Sequence, residues 1–279
     1  MDLSKVIFLG GNSGFASVKV RCADMASYIG CDCLFGKHYA HDIPDKYSIF
    51  VCVKTNFSLD ELAKLARRGL VIWDIIDALP PRDHVALYLA STEAAKDLFI
   101  DHGRVEVIPH YHCNISRVPN SSDLRRPAWI GSCHWLPQFK GFEYDFYDAQ
   151  CMSSNHVMQT HRKIGIGLNF RAAQSAILPV QRKKFARNFH VAINSGIKLI
   201  NCLGFGTPSI SANEPAYHEI GPECTIFSTL RKCSALVRAL QNDNDLYLDL
   251  RKKCLRRADR YHLNNIARQY QRLFTSLSK

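Results

Sequence analysis

Short apolar runs that alternate with helical stretches constrain this chain more than any other feature. Residues 5–9 (KVIFL), 48–53 (SIFVCV), 70–75 (LVIWDI) and 105–109 (VEVIP) are short and dominated by apolar side chains, as strands buried on both faces require. Between them lie a glycine loop (GGNSG, 10–14) with a helical pattern from about Ser17 to Tyr28, an amphipathic helix over 59–69 closed by Gly69, and a helix from about Thr92 to Phe99. Strands alternating with helices predict a parallel sheet covered on both faces, hence an α/β fold.

The alternation stops at SRVPNSSDLRRP (116–127), whose polar, proline-bearing composition is that of a linker. It resumes with strands over AWIGS (128–132) and KIGIGLNF (163–170), a helix from about Ile197 to Phe205, strands over TPSIS (207–211) and CTIF (224–227), and helical patterns from about Thr229 to Gln241 and Leu246 to Leu277. A chain of 279 residues suits two domains of about 100 to 150 residues each. The reading is two Rossmann-like domains, residues 1–120 and 121–279, the chain ending in a long helical pattern.

Composition narrows the class. The sequence is 47% hydrophobic and 22% charged, and no apolar run approaches the roughly 20 residues of a membrane-spanning helix, so a soluble globular protein is expected. Its start, MDLSKVIFLGG, has an acid at position 2 and meets glycines too early for a secretory signal, which points to the cytoplasm. Eleven cysteines without a CxxC pair fit free thiols in a reducing compartment rather than a disulfide framework or zinc ribbon. A net charge of +11 favours phosphates, nucleic acid or an acidic membrane surface, without choosing among them.

In a doubly wound sheet, ligands sit beyond the carboxyl ends of the strands. Gly10, Gly11, Ser13 and Gly14 occupy such a place, where backbone N–H groups can approach a phosphate or sugar, or simply make a tight turn. The spacing departs from the dinucleotide GxGxxG, which argues against a nicotinamide oxidoreductase. Behind the loop, Lys19 and Arg21 face either an anion or solvent. The strand end WDIID offers Asp77 as first candidate for a catalytic or hydroxyl-binding carboxylate, or as the cap of the turn before Pro80 and Pro81. VIPHYHCN offers His110 as a base. A metal site on His110, His112 and Cys113 lacks a fourth ligand, and none is expected. Two basic runs remain, QRKKFAR (181–187) to line phosphates and RKKCLRRADR (251–260) as either a solvated helix face or a contact for a membrane or polyanion.

The segment Gly196 to Ile220, GIKLINCLGFGTPSISANEPAYHEI, combines a helix carrying Lys198, a glycine turn and a strand end rich in acids. It resembles the carboxyl-terminal, donor-binding domain of GT-B glycosyltransferases. The resemblance extends weakly through VIFLGGNSGFASVKVR, VKTNFSLDELAKLARRGLVIWDIID, LASTEAAKDLF and VEVIPH. It implies Lys198 beside a donor diphosphate, Gly204 and Gly206 packed against that site, Glu214 or Glu219 at the hydroxyls of the donor's sugar or ribose, Tyr217 among the donor-binding residues, and a short second domain whose terminal helix crosses back to brace the first. Retaining members often carry two glutamates eight positions apart, and here Glu214 and Glu219 are five apart, so the stereochemical course stays open. The implied activity is transfer of a sugar from a nucleotide-sugar co-substrate, without further cofactor or metal, to a lipid-linked or surface glycan, with peripheral contact at an anionic membrane. The alternatives are a hydroxylated DNA base as acceptor and a non-catalytic binding or regulatory subunit.

Overall fold

The computed structural model describes residues 2–12, 16–76, 80–131, 136–148, 154–170 and 194–278. Its described strands form two parallel sheets in two compact units. The first unit holds the residues up to His110 together with Asn194, Ser195 and the chain from Ile266 onward, and the second holds Tyr111 onward and Gly196 to Asn265.

In the first unit, β1 (Val6–Gly10), β2 (Asp32–Phe35), β3 (Ile49–Val53), β4 (Leu70–Asp74), β5 (Leu87–Ala90) and β6 (Val105–Val107) lie in the order β2-β1-β3-β4-β5-β6. Every residue of β1 and β3 is buried, as expected for strands covered on both faces. The helical segment over 16–29, α1, contains a π-helical stretch at Lys19–Asp24. Helix α2 (Leu59–Arg68) begins where Ser58 Oγ accepts the Glu61 N–H, with acids in its first turn and arginines in its last. Thr92 caps α3 (Glu93–Phe99) in the same way.

In the second unit, β7 (Pro127–Gly131), β8 (Asp145–Asp148), β9 (Ile166–Asn169), β10 (Ser209–Ser211) and β11 (Thr225–Phe227) lie in the order β11-β10-β9-β7-β8. Its described helices are α4 (Ser154–His161), α5 (Ile197–Phe205), α6 (Pro215–Ile220), α7 (Cys233–Asn242) and α8 (Asn244–Ala258). The last helix, α9 (Leu263–Leu277), passes into the first unit at Ile266. There Tyr270 and Phe274 pack on Phe8, with ring centroids 5.9 and 6.1 Å away. The single terminal pattern expected from Leu246 to Leu277 is therefore two helices, parted by a 3-10 turn at Asp259–Tyr261.

The stretch expected to be a linker is built into the second unit. The Asn120 N–H donates to the Phe205 carbonyl, its side chain donates to the carbonyls of His161 and Ile164, and Arg251 donates to its carbonyl. Tyr247 Oη donates to the carbonyls of Leu124 and Gly165. Polar composition here serves buried hydrogen bonds instead of solvent, and the unit boundary falls at His110/Tyr111. Among the described residues no helix is long and apolar enough to cross a membrane.

Candidate functional site

Both sheets start from a first strand flanked by the second on one side and the third on the other, so each has a switch point where chain direction across the sheet reverses. In the first unit that point lies between β1 and its neighbours, at the glycine loop. The Gly11 N–H donates to the Val53 carbonyl (3.0 Å), and a side-chain carbon at Gly11 would stand 2.0 Å from the Lys54 carbonyl oxygen. Glycine is needed here for close approach of two strand ends. Gly10 is likewise closed over by Phe35. Ser13, Gly14 and Asp77 lie outside the described residues, as does the basic run 181–187.

Arg21 does not reach toward a ligand. It is 2% exposed, its Nε donates to Asp74 Oδ2 at 2.7 Å, and Nη1 donates to the carbonyls of Ile108 and Pro109. Burial lifts the Asp74 carboxyl above its ordinary value, and the guanidinium beside it pulls in the other direction. The π-helical stretch around Arg21 places this cation inward, where its role is to neutralise a buried acid. His110 is also 2% exposed, and neither ring nitrogen has a hydrogen-bond partner. Burial, then Arg21 and Lys54, hold its pKa well below the usual imidazole value. A neutral ring sealed from solvent is not placed to take a substrate proton, which corrects the expectation for His110.

What remains open on this edge is a cavity of about 530 Å3 at the carboxyl ends of β1, β2 and β3, lined by Asn12, Phe35, Lys37, His38, Asn56 and Phe57 among others. The sequence reading passed over it because β2 is only four residues, with an acid and a cysteine in place of branched apolar side chains. The available signal was the aromatic and histidine cluster FGKHY that follows.

In the second unit, β7 and β9 pair only at Pro127↔Ile166 and Ala128↔Gly167. Beyond that point stands Lys198, in the first turn of α5. Its Nζ lies 4.1 Å from the centre of the Trp129 ring, and a side-chain carbon at Gly131 would be 2.7 Å from it. Trp129 is fully buried and held by an Nε1–H donated to the Phe170 carbonyl at 2.8 Å, so the surface under Lys198 is fixed. The N-cap residue of α5 is Gly196, which has no side chain of its own to cap the helix. Gly196 there is left-handed (φ 63°), and any side chain on it would meet Ile220. Asn169 Nδ2 donates to Ser211 Oγ (3.1 Å), tying the ends of β9 and β10 together.

The remaining donor-side candidates separate. Strand β10 ends at Ser211, and the EPAYHEI run, expected as a strand end, instead begins α6 with Pro215 at its first position. Glu214 is the N-cap residue, 6% exposed. Glu219, five positions on, is turned roughly 140° from it about the helix axis, so the two do not share a face. Tyr217 is a core residue, packed with Leu199, Leu203 and Ile220. Gly204 lies against the His112 ring, and Asn114 donates to its carbonyl. Gly206 closes α5 in the left-handed region (φ 66°) beneath Leu255. Both glycines sit roughly 9 to 12 Å along the axis from Lys198, at the far end of α5. Both pack closely there, Gly204 against His112 and Gly206 against Leu255.

No protein-family model and no curated protein matches the chain. Solved structures do. A glycosyltransferase from Rickettsia africae superposes with a TM-score of 0.70 at 7% identity, covering 100% of both chains. HepE from Anabaena, solved in complex with UDP-glucose, superposes with a TM-score of 0.61 at 12% identity over 98% of this chain and 99% of that one. HepE in complex with UDP gives 0.61 at 11% identity over 98% and 100%. The fold is the two-domain, Rossmann-like GT-B fold.

Proposed function

We propose that this protein is a glycosyltransferase that uses a nucleotide-sugar donor, held by the second unit, to glycosylate an acceptor hydroxyl. The observation that carries the reading is Lys198 in the first turn of α5, poised over Trp129 where β7 and β9 part, in a fold shared with a protein that binds UDP-glucose. A cation in the first turn of a helix at a switch point suits a diphosphate. Departure of the sugar leaves charge on that diphosphate, and fixed cations stabilise it without a metal. Glu214, at the start of α6, is the carboxylate proposed for donor hydroxyls. Asp77 stays the proposed catalytic carboxylate by its position after β4.

For the acceptor we favour a lipid-linked or surface glycan, glycosylated in the cytoplasm at the inner membrane face. The net charge of +11, the exposed Lys252 and Arg256 of α8 and the exposed Arg260 in the turn after it supply attraction to anionic lipid. The nine described cysteines are free thiols, as suits a reducing compartment.

A thermal-shift screen with UDP-, GDP-, ADP-, dTDP- and CMP-sugars tests the donor site, because a ligand that binds the native state raises its stability. A UDP-sugar is expected to raise Tm and Lys198→Ala to remove the shift. No shift with any donor overturns the reading. In a transfer assay, a glycan acceptor is expected to accept radiolabelled sugar, and duplex DNA with hydroxylated bases is not.

A further inference from the structure

On the second unit, the loop from Asn114 to Pro119 and the end of α8 make an apolar tip inside a ring of cations. We propose that this tip inserts among the headgroups of an anionic bilayer, an inference that deepens the reading of an enzyme at the membrane face and rests on it.

Ile115 and Val118 are 51% and 52% exposed. Leu255 and, seven positions earlier, Leu248 share one face of α8 and are exposed as well. The loop and α8 meet at the end of α5. Asn114 Nδ2 donates to the carbonyls of Val118 (2.8 Å) and Gly204 (2.7 Å), and Gly206, two residues on, lies beneath Leu255. Aliphatic side chains scattered singly over a surface need no explanation, but four grouped in this way mark a surface that something covers.

The tip is held in place. The N–H groups of Ile115 and Arg117 donate to the carbonyls of Cys113 and Asn114, each at 3.1 Å. Ser116 Oγ donates to Asn114 Oδ1 (3.3 Å), and His262 Nε2 lies 3.1 Å from the Ile115 carbonyl oxygen. Arg117 sits in the left-handed region (φ 55°), uncommon for a long side chain. A turn fixed in this way keeps Ile115 and Val118 in water, where a loose one could fold them away.

Cations surround it. Arg162 Nη2 lies 3.5 Å from Ser116 Oγ, with the exposed Lys163 beside it in sequence, and Lys252 and Arg256 accompany Leu255 on α8. Two acids of this surface are already paired, Asp259 with Arg117 at 3.1 Å and Asp249 with Lys253 at 2.5 Å. Asp245 lies in the first turn of α8, at the end away from the loop.

A nucleic acid would engage the arginines and leave the aliphatic side chains uncovered. A second copy of this surface would set like charges against each other. An anionic bilayer meets both features, because its headgroups attract basic side chains and its acyl boundary takes up aliphatic ones.

Co-sedimentation of the intact chain with vesicles of phosphatidylcholine, alone or mixed equally with phosphatidylglycerol, tests the proposal. Binding to the anionic vesicles is expected, and the double substitution Ile115→Ser, Val118→Ser should weaken it by about tenfold or more. Arg162→Gln should weaken it roughly fivefold, which is what about 1 kcal/mol per basic residue amounts to. The fluorescence gained in Ile115→Trp should shift to the blue on these vesicles and be quenched by brominated lipid. Circular dichroism and the UDP-glucose thermal shift are expected to be the same in every variant. No binding to anionic vesicles overturns the insertion together with the membrane-face reading. Binding indifferent to the double substitution, or an Ile115→Trp signal untouched by brominated lipid, overturns the insertion and leaves only the attraction supplied by α8. Duplex DNA that binds as tightly as the vesicles and depends equally on Arg162 overturns it in favour of a nucleic-acid surface. Absence of a UDP-glucose shift while vesicle binding depends on Ile115 and Val118 supports the insertion and overturns only the donor assignment.

Discussion

The two sheets share a strand order and differ in what they do with the cation near the switch point. In the first unit Arg21 is turned inward and matched by Asp74, both almost fully buried, and the glycine loop uses its backbone to let β1 and β3 close on each other. In the second unit β7 and β9 part after two paired residues, and Lys198 sits half-buried over an aromatic face at the opening. The same topology thus yields one edge whose cation is paired with a buried acid and one edge whose cation rests on an aromatic ring.

The largest test of this contrast is Asp74→Ala. It strands a buried guanidinium, and a loss of about 3 to 5 kcal/mol in urea unfolding is expected. The double substitution Arg21→Met, Asp74→Leu should recover most of it, because the pair serves structure. Recovery of stability with loss of acceptor or donor binding would instead give Arg21 a ligand role and erase the difference between the edges.

Lys198→Ala comes next. A charge-assisted contact to a phosphate is worth about 1.5 to 3 kcal/mol, so UDP-glucose affinity should fall by about one to two orders of magnitude with little change in stability. Equal affinity in the variant would move the donor away from the α5 N-terminus.

Acid sharpens the comparison inside the units, since each buries neutral histidines: His110 in the first, His112 and His161 in the second. Burial lowers His112 to about 4 and His161 to about 3. A lowered folded value means that between pH 6.5 and that value the unfolded chain binds a proton the folded chain does not. Stability is therefore full above pH 6.5 and falls as pH drops, by about 2 kcal/mol at pH 5 for His112 alone. Urea titrations at pH 7 and pH 5 measure it, and His112→Gln should flatten the dependence. An unchanged slope would show that the ring is not sealed.

The smallest expected effect separates the two ends of α5. Gly206→Ala places a side chain at φ 66° and should lower stability by about 1 kcal/mol while leaving UDP-glucose binding intact. Weakened binding at unchanged stability would return Gly206 to the donor site.

Legibility followed the length of the local signal. The long apolar runs of β1, β3, β4 and β9 and the capped, amphipathic α2 were readable, because burial on both faces and helix ends leave marks within a few residues. The strand β2, with its exposed edge and mixed residues, and the short helix α6, whose Pro215 could open a helix or end a strand, left ambiguous ones. Lys198 lies in the first turn of a helix that starts at Ile197, where the helical pattern of the sequence puts it. His38 was missed, since nothing in the neighbouring sequence says that its Nε2 will meet the Gly10 carbonyl.

The sequence by itself determined the alternation of strands and helices and the two-part α/β class, which rest on periodicities within one element, and its segment from Gly196 to Ile220 carried the resemblance to GT-B enzymes. Only the tertiary structure decided what each charged group is packed against. Arg21 and Lys198 are both helix cations near a glycine, and no local rule distinguishes them. Arg21 is taken by an acid 53 positions away that the fold buries beside it, whereas Lys198 is placed on an aromatic ring where two strands separate. Charge availability is a property of what packs around a side chain, and that is set by residues far along the chain.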